Sequence, residues 1–149
     1  LFMGVASLML FVGVSQVGLR FPVTMQNYLQ SDHDRLGLRV MELIPADASV
    51  IAQNKLVAHL SQRRWITVLS RQLAEPAQYY LLDLQSPTPP QTPEEYIAEI
   101  TALLANSDYG VVHLEDGYIL LARGARRDEA ELAAARQMVE QFFPTGASQ

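Results

Sequence analysis

Three polar side chains, Asn54, His59 and Asp83, are spaced so that a ligand site is predicted where two expected strands end. Asn54 follows the apolar stretch Ala48 to Ala52 almost directly, and Asp83 lies at the end of a second stretch, Tyr79 to Leu84. His59 falls in the helix expected between them. Ligands of open α/β sheets collect at the carboxyl ends of the parallel strands. Amide, imidazole and carboxylate groups there predict binding of a polar ligand such as a sugar or a lipid head group.

A structural explanation of the same side chains stays open and is favoured over ligand binding. Asn54 is a good helix cap, His59 can form a hydrogen bond to a neighbouring loop, and Asp83 can hold the turn at Ser86. Gln53, which also follows the first strand, shares the ligand-binding interpretation.

No sequence pattern indicates a catalytic centre, a metal site or a cofactor. The turn after the first strand, residues 52–55, has no glycine that would let the backbone approach a pyrophosphate, so a nucleotide site is not expected. His33, His59 and His113 are widely separated and form no metal-binding pair. A Gly-x-Ser-x-Gly elbow is missing, and the chain has no cysteine. We therefore predict no catalytic residue, no metal and no cofactor.

The charge pattern argues against nucleic acid as a partner. The net charge is −5, and most basic residues are scattered. The exceptions are Arg63 and Arg64, and a group formed by Arg123, Arg126 and Arg127. Nucleic-acid binding requires a concentrated basic face. We interpret the first pair as solvated loop charges, with contact to lipid phosphates as the alternative, and the second group as local ion pairs.

The elements that would position these side chains alternate between helix and strand. Thr92, Pro93 and Glu95 form a capping pattern, and Asp116-Gly117 predicts a tight hairpin turn. The expected order is a helix over 33–43, a strand over 48–52, a helix over 54–60, strands over 65–69 and 79–84, a helix to Ala105, strands over 109–114 and 118–122, and a helix over 128–143. Apolar strands alternating with amphipathic helices predict a sheet covered on both faces.

The first nineteen residues, Leu1 to Leu19, carry no charge. As a helix they would span roughly 28 Å, about the thickness of a bilayer core. A transmembrane helix is the favoured interpretation; a cleavable signal peptide and a buried core helix are the alternatives. The fold class predicted is therefore α/β, with an N-terminal transmembrane helix followed by a small Rossmann-like three-layer sandwich that has a mixed sheet and a late antiparallel hairpin. The domains expected are a transmembrane helix at 1–20, a juxtamembrane connector at 21–31, an α/β soluble domain at 32–143 and a tail at 144–149.

The ends and flanks of the chain suggest its context. The chain begins with Leu1 and no polar residue precedes the apolar run, so we expect a fragment that starts within or beside a membrane span. Arg20 and Arg35 are offset by Asp32 and Asp34, so no basic cluster marks a cytoplasmic flank. A cell-membrane location with the soluble part on the extracytoplasmic side is predicted.

Several short stretches, together covering about Leu1 to Leu121, carry a family resemblance. They are IPADASVIA at 44–52, LVAHLS at 56–61 with Arg63 and Arg64, YYLLDL at 79–84, YGVV at 109–112 and DGYILL at 116–121. In these stretches the chain resembles an uncharacterised family of bacterial and archaeal multi-pass membrane proteins. That family is distantly similar to the lipid-linked-sugar glycosyltransferases of the GT-C type.

The resemblance implies a C-terminal soluble domain with an accessory or substrate-positioning role. Glycosyltransferases of this type place their catalytic carboxylate in the first extracytoplasmic loop, and no residue here matches that motif. Whether the parent protein is an enzyme is left open. The partners implied are the lipid bilayer and a polyprenyl-linked sugar or glycan acceptor, with no nucleic acid and no nucleotide. The alternative function is a membrane-anchored, non-catalytic interaction or assembly domain.

Overall fold

The structure is a computed structural model and describes residues 31–69, 76–86 and 91–144. Apart from Ser31, these residues belong to one compact unit that begins at Asp32. The predicted transmembrane segment at 1–20 and nearly all of the connector at 21–31 lie outside the described residues, as does the tail after Pro144.

Helices and strands follow each other in the predicted order. They are helix α1 (Asp32–Glu42), strand β1 (Val50–Ala52), helix α2 (Asn54–Val57) continued by a 3₁₀ turn (Ala58–Leu60), strands β2 (Ile66–Val68) and β3 (Tyr79–Asp83), helix α3 (Pro93–Ala105), strands β4 (Tyr109–Glu115) and β5 (Tyr118–Arg123), and helix α4 (Glu129–Phe142). The predicted boundaries differ from these by at most two residues.

The five strands described form one mixed sheet in the order β2-β1-β3-β5-β4. Strand β1 is parallel to both β2 and β3. Strand β5 lies antiparallel to both β3 and β4, and Asp83 at the end of β3 pairs with Tyr118 at the start of β5. The mixed sheet and the late antiparallel hairpin are therefore confirmed.

Helices cover both faces of this sheet. One apolar cluster joins α3 and α4 to the face that carries Ile51 and Leu121. The other joins α1 and α2 to the face that carries Val50 and Leu120. Successive strand residues point to opposite faces, so strands that are apolar throughout can fill both clusters. The described elements thus form three layers.

The transmembrane helix in the predicted fold class is not supported. Among the described residues, no helix is long and apolar enough to cross a membrane. The longest, α4, has 14 residues, which at 1.5 Å per residue gives a length well short of a bilayer core. What the structure supports is a mixed α/β fold, and the predicted fold class is corrected accordingly.

Side chains rather than backbone alone close several helix ends. Thr92 and Glu95 form the predicted capping box at the start of α3. Asp128 accepts hydrogen bonds from the N–H groups of Ala130 and Glu131 at the start of α4. Each bond satisfies an N–H group that the first helical turn leaves without a partner.

Arg63 closes the end of α1, which the sequence did not reveal. Its guanidinium donates to the carbonyl of Ile44 at 2.8 Å, to that of Met41 at 3.3 Å and to that of Pro45. The interpretation of Arg63 as a solvated loop charge is therefore wrong, because the side chain donates to carbonyls at the end of α1 and in the turn that follows it. Arg127 acts similarly after α3, where it donates to the carbonyl of Leu104 at 3.0 Å.

We expect Arg63→Ala to lower the free energy of unfolding by about 1–3 kcal/mol, since hydrogen bonds from a charged donor to three carbonyls are lost. Urea denaturation of the full chain measures this change. Arg64→Ala is the matched control: its side chain is exposed, and we expect a change within about 0.5 kcal/mol. Equal effects at the two positions would contradict the capping role.

Candidate functional site at the end of strand β3

Asp83 is the predicted site residue that the structure places at the centre of a polar network. Its carboxylate is fully buried. Oδ1 accepts from the N–H of Gln85 at 2.9 Å, and Oδ2 accepts from the hydroxyl of Ser86. The Asp83 N–H donates to Oε1 of Gln53 at 3.2 Å, and its carbonyl accepts from the hydroxyl of Tyr96 at 3.3 Å. A buried carboxylate is costly without hydrogen-bond donors, and the bonds from Gln85 and Ser86 to its two oxygens account for its burial.

His33, in the first turn of α1, also belongs to this network. Its Nε2 lies 3.1 Å from Oδ1 of Asp83, and its Nδ1 lies 2.9 Å from Oδ2 of Asp116. The ring stacks on Tyr118 with centroids 4.3 Å apart. Each ring nitrogen of His33 therefore lies within hydrogen-bond distance of a different carboxylate, so the ring links the end of β3 to the turn between β4 and β5.

The turn between β4 and β5 aims Asp116 at His33. Asp116 has φ 46° and Gly117 has φ 87°, which is the pair of positive values that a tight hairpin turn requires. Gln85 holds the turn, since its amide donates to the Asp116 carbonyl at 2.8 Å and to Oδ1 at 3.0 Å. The Asp-Gly turn was predicted, but its contact with His33 was not.

We call the linked side chains of His33, Gln53, Asp83, Ser86, Tyr96 and Asp116 the polar lock. Ser86 donates to Asp83 rather than to His33, so the serine has no imidazole base to activate it. Both nitrogens of His33 face carboxylates. In the part of the chain that the structure describes, no cluster could hold a metal ion. The chemistry of the polar lock is therefore mutual satisfaction of polar groups that join α1, β3 and the hairpin.

Three buried tyrosines, Tyr96, Tyr109 and Tyr118, have hydroxyl pKa values that are raised by burial. Burial raises the pKa of Tyr96 and of Tyr118, and in both cases the nearby charge of Asp83 raises it further. In the same apolar cluster as Tyr96, burial raises the pKa of Tyr109 to about 12. Its hydroxyl donates to the Ala77 carbonyl at 2.7 Å. These hydroxyls stay protonated well above neutral pH.

We expect the contribution of Tyr109 to the free energy of unfolding to be constant below pH 10 and to fall as the pH rises towards about 12. The unfolded chain releases this proton at the ordinary pKa of 10, whereas the folded chain retains it, so alkali favours unfolding. Urea denaturation at a series of alkaline pH values measures the fall. Tyr109→Phe should make it shallower, and an unchanged slope would contradict the assignment.

The other two predicted site residues lie outside the polar lock. Asn54 is exposed at the first position of α2, and the helix cap is Gln53, which makes no side-chain cap bond. The interpretation of Asn54 as a cap is therefore wrong. His59 is exposed on the 3₁₀ turn. The structure joins Asp83 to Gln53 and separates it from Asn54 and His59, and the ligand-binding role of all three stays a prediction.

Sequence analysis missed His33, Tyr96 and Asp116 as members of the polar lock. Each has a local explanation, as a helix start, a core aromatic and a turn residue, and nothing local shows that they meet. His33 and Asp83 lie 50 residues apart, and His33 and Asp116 lie 83 apart. Besides Asp83, the sequence signal that pointed to this network was Gln53, a polar residue directly after an apolar strand.

A cleft lies at the opposite end of the parallel strands, where β1, β2 and β3 begin. It encloses about 610 Å³. Its lining includes Asp47, Val50, Arg64, Trp65, Ala77 and Gln78. We call it the Trp65 cleft; no site was predicted there.

Comparison with known proteins gives one family. The sequence profile of the family described as "Predicted membrane protein (DUF2079)" matches residues 2–120. The match runs through α1 and ends within β5. No curated protein and no solved structure matches the chain.

Proposed function

The chain belongs to the DUF2079 family of predicted membrane proteins, and from this premise we propose that it is an accessory, substrate-positioning domain. The parent would be a multi-pass membrane protein similar to the lipid-linked-sugar glycosyltransferases, with its catalytic residues outside this chain. The domain would lie on the extracytoplasmic side and help to place a polyprenyl-linked sugar or a glycan acceptor.

The saturation of the polar lock carries the non-catalytic part of this proposal. A catalytic serine, histidine or carboxylate must be accessible to the substrate. A general acid or base must also lie within hydrogen-bond distance of the substrate proton that it transfers. In the polar lock, the hydroxyl of Ser86 donates to Asp83, and the two ring nitrogens of His33 contact the carboxylates of Asp83 and Asp116. These groups support the fold, and we assign the domain a role in binding and positioning rather than in the chemical step.

The charge distribution supports the extracytoplasmic side. Between the predicted span and the first residues of α1, Arg20 and Arg35 stand apart and form no cluster of basic residues. Cytoplasmic flanks of membrane proteins carry an excess of lysine and arginine.

Sugar transfer by the parent protein in membrane vesicles tests the proposal. The intact protein would be compared with a version truncated after Leu19, using polyprenyl-phosphate-linked donors and matched amounts of membrane-inserted protein. We expect transfer to fall on truncation, with a raised KM for donor or acceptor, because positioning is lost while the catalytic residues remain.

Two outcomes would count against it. Unchanged transfer after truncation would contradict the positioning role and favour an interaction or assembly domain, which a change in the size of the detergent-solubilised complex would reveal. Absence of transfer with every donor, in the intact protein, would contradict the glycosyltransferase-like part.

A further inference from the structure

The Trp65 cleft combines an exposed aromatic ring with polar groups at the amino ends of three strands. Trp65 is the only tryptophan of the chain, and 62% of its surface is exposed. It directly precedes edge strand β2, and its carbonyl accepts the N–H of Val50 at 3.0 Å. The indole is therefore presented from a fixed backbone position at the rim of a concave surface.

The surroundings of this indole are both apolar and charged. The guanidinium of Arg64 lies 5.9 Å from the centre of the ring, within the range of a cation–π contact. Val50 and Ala77 are buried and supply an apolar floor. Asp47, which is exposed, adds a carboxylate to the lining.

One polar wall of the cleft is held rigid by paired hydrogen bonds. The N–H of Ser49 donates to Oε1 of Gln78 at 3.0 Å, and the N–H of Gln78 donates to the hydroxyl of Ser49 at 2.9 Å. These bonds fix the orientation of the Gln78 amide, whose NH₂ group is a donor. A wall that is already ordered loses little entropy when a ligand binds.

We propose that the Trp65 cleft binds a sugar ring of a glycan. A pyranose has a face of C–H groups and a rim of hydroxyls. The indole packs on the C–H face, the Asp47 carboxylate accepts from hydroxyls, and Arg64 and the Gln78 amide donate to them. The volume of about 610 Å³ lies within the range of small-molecule sites, which are lined by apolar and aromatic groups with a few polar ones.

A lipid surface fits the same residues less well. A bilayer surface is broad and does not enter a cleft. The carboxylate of Asp47 opposes anionic head groups, which Arg64, the one cation among the described lining residues, would otherwise attract. A carboxylate, a guanidinium and an amide together suit neutral hydroxyls, because each hydroxyl can both donate and accept a hydrogen bond.

This inference deepens the proposed function, on which it rests for the source of the glycan. The sugar would belong to a polyprenyl-linked donor or to an acceptor glycan. Binding in the cleft is a property of this chain alone, so it can be tested without any transfer reaction.

The experiment is a titration of the full chain in mild detergent, with Trp65 fluorescence as the reporter and calorimetry as the measure of affinity. The probes are free neutral and N-acetylated oligosaccharides, a polyprenyl-phosphate-linked glycan, polyprenyl phosphate without sugar, and anionic liposomes. We expect a saturable fluorescence change with glycan-bearing probes. Binding of free oligosaccharide would indicate an acceptor glycan, and preference for the lipid-linked form would indicate a donor.

Variants locate the binding. Trp65→Ala should weaken glycan affinity by about tenfold or more, as loss of a central aromatic contact does. Asp47→Asn should weaken it by a smaller factor. Val112→Ala is the matched control, since Val112 is an exposed apolar residue on the other edge strand, β4, and should leave affinity unchanged. Circular dichroism would be used to check that each variant is folded.

The proposal is overturned if no glycan binds, if Trp65→Ala binds glycan as the unsubstituted chain does, or if polyprenyl phosphate and liposomes without sugar bind equally well. Glycan binding by the chain together with an absence of transfer by the parent would contradict the proposed function and still support the sugar site.

Discussion

Replacement of Asp83 by alanine is expected to lower the free energy of unfolding by about 3–5 kcal/mol, as removal of one member of a buried charged network does. The substitution leaves the hydroxyl of Ser86 and the N–H of Gln85 without their acceptor, and takes one carboxylate away from His33. Buried donors without acceptors retain their full desolvation cost. Urea denaturation followed by circular dichroism measures the loss.

Two further variants make the Asp83 result specific. Asp83→Asn keeps the size and part of the hydrogen bonding but removes the charge, so its loss should be smaller than that of Asp83→Ala. Asp47→Ala is the matched control on an exposed aspartate and should change stability by no more than about 0.5 kcal/mol. If Asp83→Ala were as stable as the unsubstituted chain, the structural role would be refuted, and the ligand-binding interpretation of Asp83 would gain support.

Gly37→Ala is expected to destabilise the chain by about 1–3 kcal/mol, the range for overpacking a close contact. Gly37 lies within α1, where alanine is ordinarily better than glycine by roughly 0.5–1 kcal/mol. Here an added Cβ would lie 2.5 Å from the hydroxyl oxygen of Tyr118 and 2.8 Å from the ring carbon that bears it. The ring is held by its stack on His33, so it has little room to move. The sign of the change in unfolding free energy decides between the two effects.

A double-mutant cycle tests the cause of the Gly37→Ala effect. Tyr118→Phe removes the atom nearest to the added Cβ, so the combined variant should be more stable than the sum of the two single changes predicts. Strictly additive changes, or a Gly37→Ala chain more stable than the original, would show that α1 does not pack on Tyr118 as described.

Features that depend on near neighbours were predictable. The capping box of Thr92 and Glu95 satisfies N–H groups within one turn, and Asp116-Gly117 supplies the positive φ values of a two-residue turn. The strands are apolar on both faces because helices cover both faces, and this composition predicted the layers. Of the candidate site residues, Asp83 was found because it follows a recognisable strand.

Features that depend on distant residues were not. Arg63 was interpreted as a solvated charge, since nothing near it in sequence shows that the end of α1 lies alongside. Trp65 was assigned to the strand over 65–69, whereas in the structure it directly precedes β2 and its side chain is exposed.

The sequence by itself determined the order of helices and strands, the helix caps and the hairpin turn, because short-range hydrogen bonds and the periodicity of apolar residues specify them. The tertiary structure alone decided that β5 lies between β3 and β4. That strand order brings the Asp116 turn beside the end of β3 and places both under His33 of α1. Three residues separated by dozens of positions become one polar network because packing of the whole sheet, rather than any local preference, sets which side chains meet.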